Sequence, residues 1–239
     1  MPARLRRSSS HRAGKRGASP AAKEISLGNE FMRSGRLKEA RDAYERAIEL
    51  EENSAEAWNN LGVIVENSGR THEALKLYNK AIKLRPGYAE AWCNKAMALN
   101  RLDNGDKALD CLETSLKLAP ENPVAWMNKG VVLSRKGDHD GALLCYDKAI
   151  QIDEKFALAW INKGVALMKI GKPGEAVQAF NKALAQRPEF PDAWYQKARA
   201  MTLSGDKDGA RLCMERVVEL DPGFADAVAV SIKKVGRGG

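Results

Sequence analysis

The sequence predicts an all-α superhelical solenoid of antiparallel helix hairpins, and three observations carry that prediction. Tryptophan occurs only at Trp58, Trp92, Trp126, Trp160 and Trp194, each 34 residues after the last. In the same phase alanine recurs at Ala40, Ala74, Ala108, Ala142, Ala176 and Ala210. Glycine punctuates almost every period midway, at Gly35, Gly69, Gly137, Gly171 and Gly205. A fixed period of this length, with helical spacing inside it, marks stacked supersecondary units.

Placing tryptophan fourth in the period divides the chain into six units: 21–54, 55–88, 89–122, 123–156, 157–190 and 191–224. The first helix of each unit carries its apolar or small residues at positions four, eight and eleven. Position eight is always small: Gly28, Gly62, Ala96, Gly130, Gly164, Ala198. A turn follows at the midway glycine, or at Asn104-Gly105 in the third unit. The second helix has its stripe at positions twenty, twenty-four and twenty-seven, again at helical spacing. Position twenty-four is bulky: Tyr44, Tyr78, Leu112, Tyr146, Phe180, Met214. The small residues at eight and twenty let two backbones approach, with the bulky one packed beside them. Proline at position thirty-two (Pro86, Pro120, Pro188, Pro222) is expected to end the second helix, since it lacks an N–H donor and clashes with the preceding turn. One hairpin cannot bury its own apolar face, so the units must stack.

The two ends read differently from the middle. The first unit has Glu24 in the tryptophan position, as an exposed terminal face should. Residues 225–235 (ADAVAVSIKKV) read as one more amphipathic helix capping the stack, and 236–239 as a frayed end. Residues 1–20 hold six basic residues, no acid and almost nothing to bury, so a disordered basic tail is expected there. Gly14, Gly17 and Pro20 oppose a helix in that segment, which argues against a transit peptide.

This W-x-x-x-G/A … A-x-x-x-Y/F-x-x-A … P register resembles the tetratricopeptide repeat over residues 21 to about 224. Segments such as Ala159-Trp-Ile-Asn-Lys-Gly are similar to its prokaryotic, particularly archaeal, versions. The resemblance implies a right-handed superhelix whose concave groove, lined by the first helices, holds a partner protein.

Positions two, six, nine and thirteen of the first helix share the face opposite the tryptophan stripe. Position six reads Ser26, then Asn60, Asn94, Asn128, Asn162 and Gln196. An amide both donates and accepts, so such a ladder can pair with the main chain of an extended peptide whatever its sequence. The ladder resembles amide rows in O-linked N-acetylglucosamine transferase and in armadillo repeats. The competing reading is that these amides pack adjacent hairpins together. Position thirteen supplies Arg33, Arg101, Arg135 and Lys169, which favour acidic side chains unless neighbours such as Glu56, Glu66 and Glu90 neutralise them. The lysines at position seven (Lys95, Lys129, Lys163, Lys197) are read as structural, with packed stems and solvated heads. Family members that grip a C-terminal carboxylate of chaperones use a lysine at position five. Here that position is Ile25, Asn59, Cys93, Met127, Ile161 and Tyr195, so a clamp of that kind is not expected.

Charge and cysteine usage narrow the function further. Of 39 basic residues, six lie in 1–20 and three in 225–239, leaving 30 against 30 acidic residues in 21–224. The net charge of +8 therefore belongs to the ends. The basic tail offers nucleic acid a counterion-release contact, but it has no aromatic to stack on bases. Cys93, Cys111, Cys145 and Cys213 form no C-x-x-C pair and have only three histidines to join them, so no metal or other cofactor is expected. Sparse unpaired cysteine suits a reducing cytoplasm. No apolar run approaches the ~20 residues of a membrane helix. No nucleophile has a plausible base, and Gly171-Lys-Pro-Gly-Glu lacks phosphate-loop spacing, so an enzyme is not expected. A protein-binding scaffold is the leading expectation, with a nucleic-acid-associated adaptor or a self-associating scaffold as alternatives.

Overall fold

The computed structural model describes residues 18–224. Within them twelve α-helices run in pairs: α1 (Pro20–Arg33) with α2 (Leu37–Leu50), α3 (Ala55–Asn67) with α4 (Thr71–Leu84), and α5 (Ala89–Arg101) with α6 (Gly105–Leu118). They continue as α7 (Pro123–Arg135) with α8 (His139–Ile152), α9 (Ala157–Lys169) with α10 (Pro173–Gln186), and α11 (Pro191–Leu203) with α12 (Lys207–Leu220). A short 3-10 turn, Pro222–Phe224, follows. Residues 1–17 of the expected basic tail, and the expected capping helix and frayed end at 225–239, lie outside the described residues.

Local chemistry sets where the helices start. Ser19 Oγ accepts a bond from the Ala22 amide at 3.1 Å, and Pro20 occupies the first helical position. Pro20 thus opens the first helix, one residue ahead of the expected unit start at 21, because its missing N–H would be unsatisfied there in any case. Asn122 caps α7 in the same way, accepting from the Val124 and Ala125 amides at 3.0 and 3.2 Å ahead of Pro123.

Within each hairpin the turn is made by a residue in the left-handed region. Gly35, Gly69, Gly137, Gly171 and Gly205 have φ between 73° and 89°. In the third hairpin the same place is held by Asp103 at φ 58°, while Asn104 and Gly105 begin α6. The turn expected at Asn104-Gly105 therefore lies one residue earlier, at a side chain that tolerates this conformation better than most.

The two helices of a hairpin approach most tightly at position eight. A Cβ placed on Gly164 would lie 2.6 Å from Phe180 Cε1, and Gly28, Gly62 and Gly130 are closed in the same way by Tyr44, Tyr78 and Tyr146. Where position twenty-four is Leu112 or Met214, position eight is alanine instead, at Ala96 and Ala198. The volume of the pair is what the fold holds fixed, as close packing requires.

Each helix packs on the next along the chain, and from α3 to α11 each odd helix also touches the next odd one. The product is an all-α, right-handed superhelical solenoid whose odd helices form one continuous layer. Five indoles clasp its junctions. Trp58, Trp92, Trp126, Trp160 and Trp194 each donate Nε1–H to the carbonyl six residues earlier, at 2.8 to 3.0 Å. Those carbonyls belong to Glu52, Pro86, Pro120, Glu154 and Pro188, all at position thirty-two. Every second helix ends two residues before that position whether it holds proline or glutamate. Proline is therefore not what stops the helix: the clasp uses only the residue's carbonyl, which either residue supplies.

Candidate functional site

The odd helices present the amide row on one face, and hydrogen bonds show what each amide is doing. At the first junction Asn60 Nδ2 donates to Asn29 Oδ1 at 3.1 Å, and the same oxygen accepts from Tyr44 Oη at 2.7 Å. Asn60 Oδ1 in turn accepts from Asn59 Nδ2 at 3.2 Å. At the next junction Asn94 Nδ2 donates to Asn59 Oδ1 at 3.0 Å, and at the third Asn128 Nδ2 donates to Cys93 Sγ at 3.2 Å. From the second of these junctions the rule is simple: position six of one hairpin reaches position five of the hairpin before it.

That rule predicts where the stitching stops. The position-five neighbour of Asn162 is Met127, a weak thioether acceptor, and that of Gln196 is Ile161, which has none. Asn162 makes no hydrogen bond to another described residue and is half-buried. Gln196 accepts only from Arg199 of its own helix, at 2.9 Å. Asn60, Asn94 and Asn128 are thus committed at one N–H each to stacking, while Asn162 keeps its full capacity for the groove.

The position-thirteen cations follow a parallel course. Arg33 is exposed and donates Nε to the Asn29 carbonyl at 3.2 Å. Arg101 Nε lies 3.2 Å from Glu66 Oε1, whose other oxygen accepts from Tyr78 Oη at 2.7 Å. Burial, then the Glu66 contact, pushes the Tyr78 phenol well above its usual range, so it stays a donor. Arg135 reaches back to the Asn100 carbonyl and to Asp103 Oδ1, the latter at 2.5 Å. Lys169 is exposed and pairs with no acid among the described residues.

Two character changes divide the groove. At position two the exposed residues run Glu56, Glu90, then Val124 and Leu158, the last two 45% and 38% exposed. Tyr88 sits at the acidic part, within 3.5 Å of Asn59 Nδ2; burial, then Glu90 and Glu56, pushes its phenol up to about 12. Between α7 and α9 the groove deepens into a cavity of about 430 Å³ lined by Ser134, Arg135, His139, Tyr146, Asn162 and Lys169, among others. His139 Nδ1 and Ser134 Oγ are 3.2 Å apart there. Burial pushes the Tyr146 phenol up, which leaves it protonated.

The structure therefore brings Arg135, Asn162 and Lys169 into one cavity and leaves Arg33, Arg101 and Gln196 apart from it. Sequence reading missed Ser134 and His139 as cavity residues, because they sit at positions twelve and seventeen, outside the four groove positions. It also missed that Asn29 and Asn59 carry the stitching. Their amide side chains at positions nine and five of adjacent units were the available signal.

Cys93, Cys111, Cys145 and Cys213 are free and buried, and burial raises every one of their thiols, Cys93 to about 11. Among the described residues no three His, Cys, Asp or Glu side chains gather as metal ligands, and no helix is long and apolar enough to cross a membrane.

Comparison with known proteins agrees with this architecture. Family profiles described as tetratricopeptide repeat match residues 25–89, 89–122, 123–156, 145–178 and 167–230. Among solved structures, the Cut9–Hcn1 hetero-tetramer of the APC/C contains a chain that superposes with a TM-score of 0.83 at 19% identity over 90% of this chain. This chain spans only 42% of that one. PilW, a type IV pilus biogenesis factor, superposes with a TM-score of 0.80 at 17% identity, covering 90% of this chain and 100% of its own. YrrB, a TPR protein with an unusual peptide-binding site, gives 0.58 at 23% identity over 81% of this chain and 99% of its own. At these identities the likeness is one of fold. No curated protein sequence matches the chain.

Proposed function

Because the chain belongs to the tetratricopeptide repeat family, whose members are generally non-enzymatic scaffolds for protein–protein interaction, we propose that it holds an extended segment of a partner protein along its concave groove. The observation that carries this is the amide row on the odd helices, half-buried at Asn60, Asn94, Asn162 and Gln196, with the Asn162 side chain free of any bond within the described residues. An extended segment has unpaired N–H and C=O groups on both edges, and an amide satisfies either. Arg135 and Lys169 flank the row and add charge-assisted contacts.

A carboxylate clamp for chaperone tails is not part of this reading. Position five carries no lysine, and in four of the six units (Ile25, Asn59, Cys93, Ile161) it is buried, with Met127 and Tyr195 half-buried.

The decisive variant is Asn162→Ala combined with Gln196→Ala. Neither side chain joins one hairpin to another through the bonds described above, so the stack should be unaffected, unlike replacement of Asn60, Asn94 or Asn128. The immobilised protein is expected to capture a partner from lysate of its source cells, and the double variant to retain less than about a fifth of it, a loss of roughly 1 kcal/mol. Undiminished capture by a variant of unchanged melting temperature would overturn the groove reading.

A further inference from the structure

Two groove cations, Arg135 and Lys169, and two exposed aliphatic residues, Val124 and Leu158, lie together at the fourth and fifth hairpins. From this we propose that the segment it selects carries an acidic side chain, seated in the cavity between α7 and α9, immediately beside an aliphatic residue resting on Val124 and Leu158. The inference rests on the groove reading above and specifies what that groove recognises.

The cavity is built for an oxyanion. Its polar lining is Arg135, Lys169, Asn162, His139, Ser134 and Tyr146, with no carboxylate among them. Two of these groups are unspent: Asn162 has no bond, and Lys169 has no acid, among the described residues. Arg135 is anchored by the Asn100 carbonyl and Asp103, which fixes its guanidinium, and a guanidinium has five N–H donors to share. The other position-thirteen cation in the middle of the groove, Arg101, is already beside the buried Glu66. In the middle of the groove, anion affinity is therefore concentrated in this cavity.

The aliphatic requirement comes from the same two hairpins. Val124 and Leu158 sit at position two, where the two preceding hairpins have Glu56 and Glu90. Both are exposed at the same position of successive hairpins, and covering them removes apolar surface from water. Their position also fixes a spacing. Position two lies at the start of each helix and position thirteen at its end, with the amide at six between them. A main chain lying on the amide row projects successive side chains to opposite sides. One side chain then meets Val124 and Leu158 while its immediate neighbour meets Arg135 and Lys169. Acidic and aliphatic residues are thus adjacent, or an odd number apart, in the bound segment.

The probe is a randomised decapeptide library displayed on phage and selected on the full-length chain, with selected peptides then labelled with fluorescein and titrated by anisotropy. Enrichment of Asp or Glu next to Leu, Ile or Val is expected. Changing the peptide's Glu to Gln should weaken binding roughly tenfold to wild type and less than twofold to Lys169→Gln, since one charge-assisted bond is removed only once. A phosphoserine in place of that Glu separates the two sources of the oxyanion. Tighter binding than Glu assigns the site to a phosphorylated segment, and weaker binding to a genetically acidic one. Selected peptides lacking an acid, or an equal Gln penalty in wild type and Lys169→Gln, would overturn the acidic pocket and leave the groove reading standing. No selected peptide at all, or binding indifferent to Asn162→Ala, Gln196→Ala and Lys169→Gln together, would overturn both. Circular dichroism of each variant must match wild type, which the exposure of Lys169 favours.

Discussion

Position eight and position twenty-four act as one volume divided between two residues. Gly164 is closed by Phe180 so tightly that a Cβ would sit 2.6 Å from the ring, whereas Ala96 coexists with Leu112. Gly164→Ala alone should destabilise the protein by about 1–3 kcal/mol through overpacking. Phe180→Leu alone should also destabilise it, by leaving unfilled space. Combined, they recreate the third hairpin's pair, and the double variant should recover at least about 1 kcal/mol of the summed loss. A denaturant double-mutant cycle measures this, and strict additivity would show that the two residues do not share one space. The smallness of position eight was legible in the sequence. The split of the amide ladder was not, because the task of an amide at position six depends on which residue stands at position five of the preceding hairpin. Asn59 and Cys93 offer acceptors to Asn94 and Asn128, while Met127 leaves Asn162 without a good one.

At the scale of helices and turns, the 34-residue period carried most of the information. The pairing of helices follows from it directly. The details it misplaced were those where two residues can do one job. Asp103 takes the left-handed place that glycine holds in the other hairpins, and Glu52 or Glu154 serves as well as proline at position thirty-two because the indole reads a backbone carbonyl. Nor could periodicity alone say why tryptophan recurs, since its bond is made to a backbone carbonyl, which any residue supplies. Trp160→Phe keeps an aromatic ring at the site but removes the donor to the Glu154 carbonyl together with part of the indole's bulk. It should cost about 1 kcal/mol, read as a lowered denaturation midpoint. A change below about 0.3 kcal/mol would mean the clasp bond adds nothing to stability.

For the whole molecule, burial makes folding sensitive to alkali. The phenols of Tyr44, Tyr78, Tyr88 and Tyr146 are all raised by burial, Tyr88 to about 12, and the Cys93 thiol to about 11. The folded protein holds these protons where the unfolded chain releases them, near pH ~8.5 for thiols and ~10 for phenols. The stability linked to them is therefore complete below those values and is lost as pH rises through the folded ones. Urea midpoints should be flat from pH 7 to 8 and fall between pH 9 and 12, with phenolate absorbance lagging that of the unfolded chain. A midpoint that holds steady to pH 11.5 would contradict it.

The rungs Asn60–Asn29, Asn94–Asn59 and Asn128–Cys93 all lie within the first four hairpins, and across from Asn162 stands only a thioether. A superhelix braced along its inner edge at one end behaves as a spring of two stiffnesses. Under load its pitch yields first where the bracing ends, at the fourth and fifth hairpins. That compliant stretch is also the one that holds Asn162 and Lys169, so a segment bound as proposed would be gripped where the spring bends.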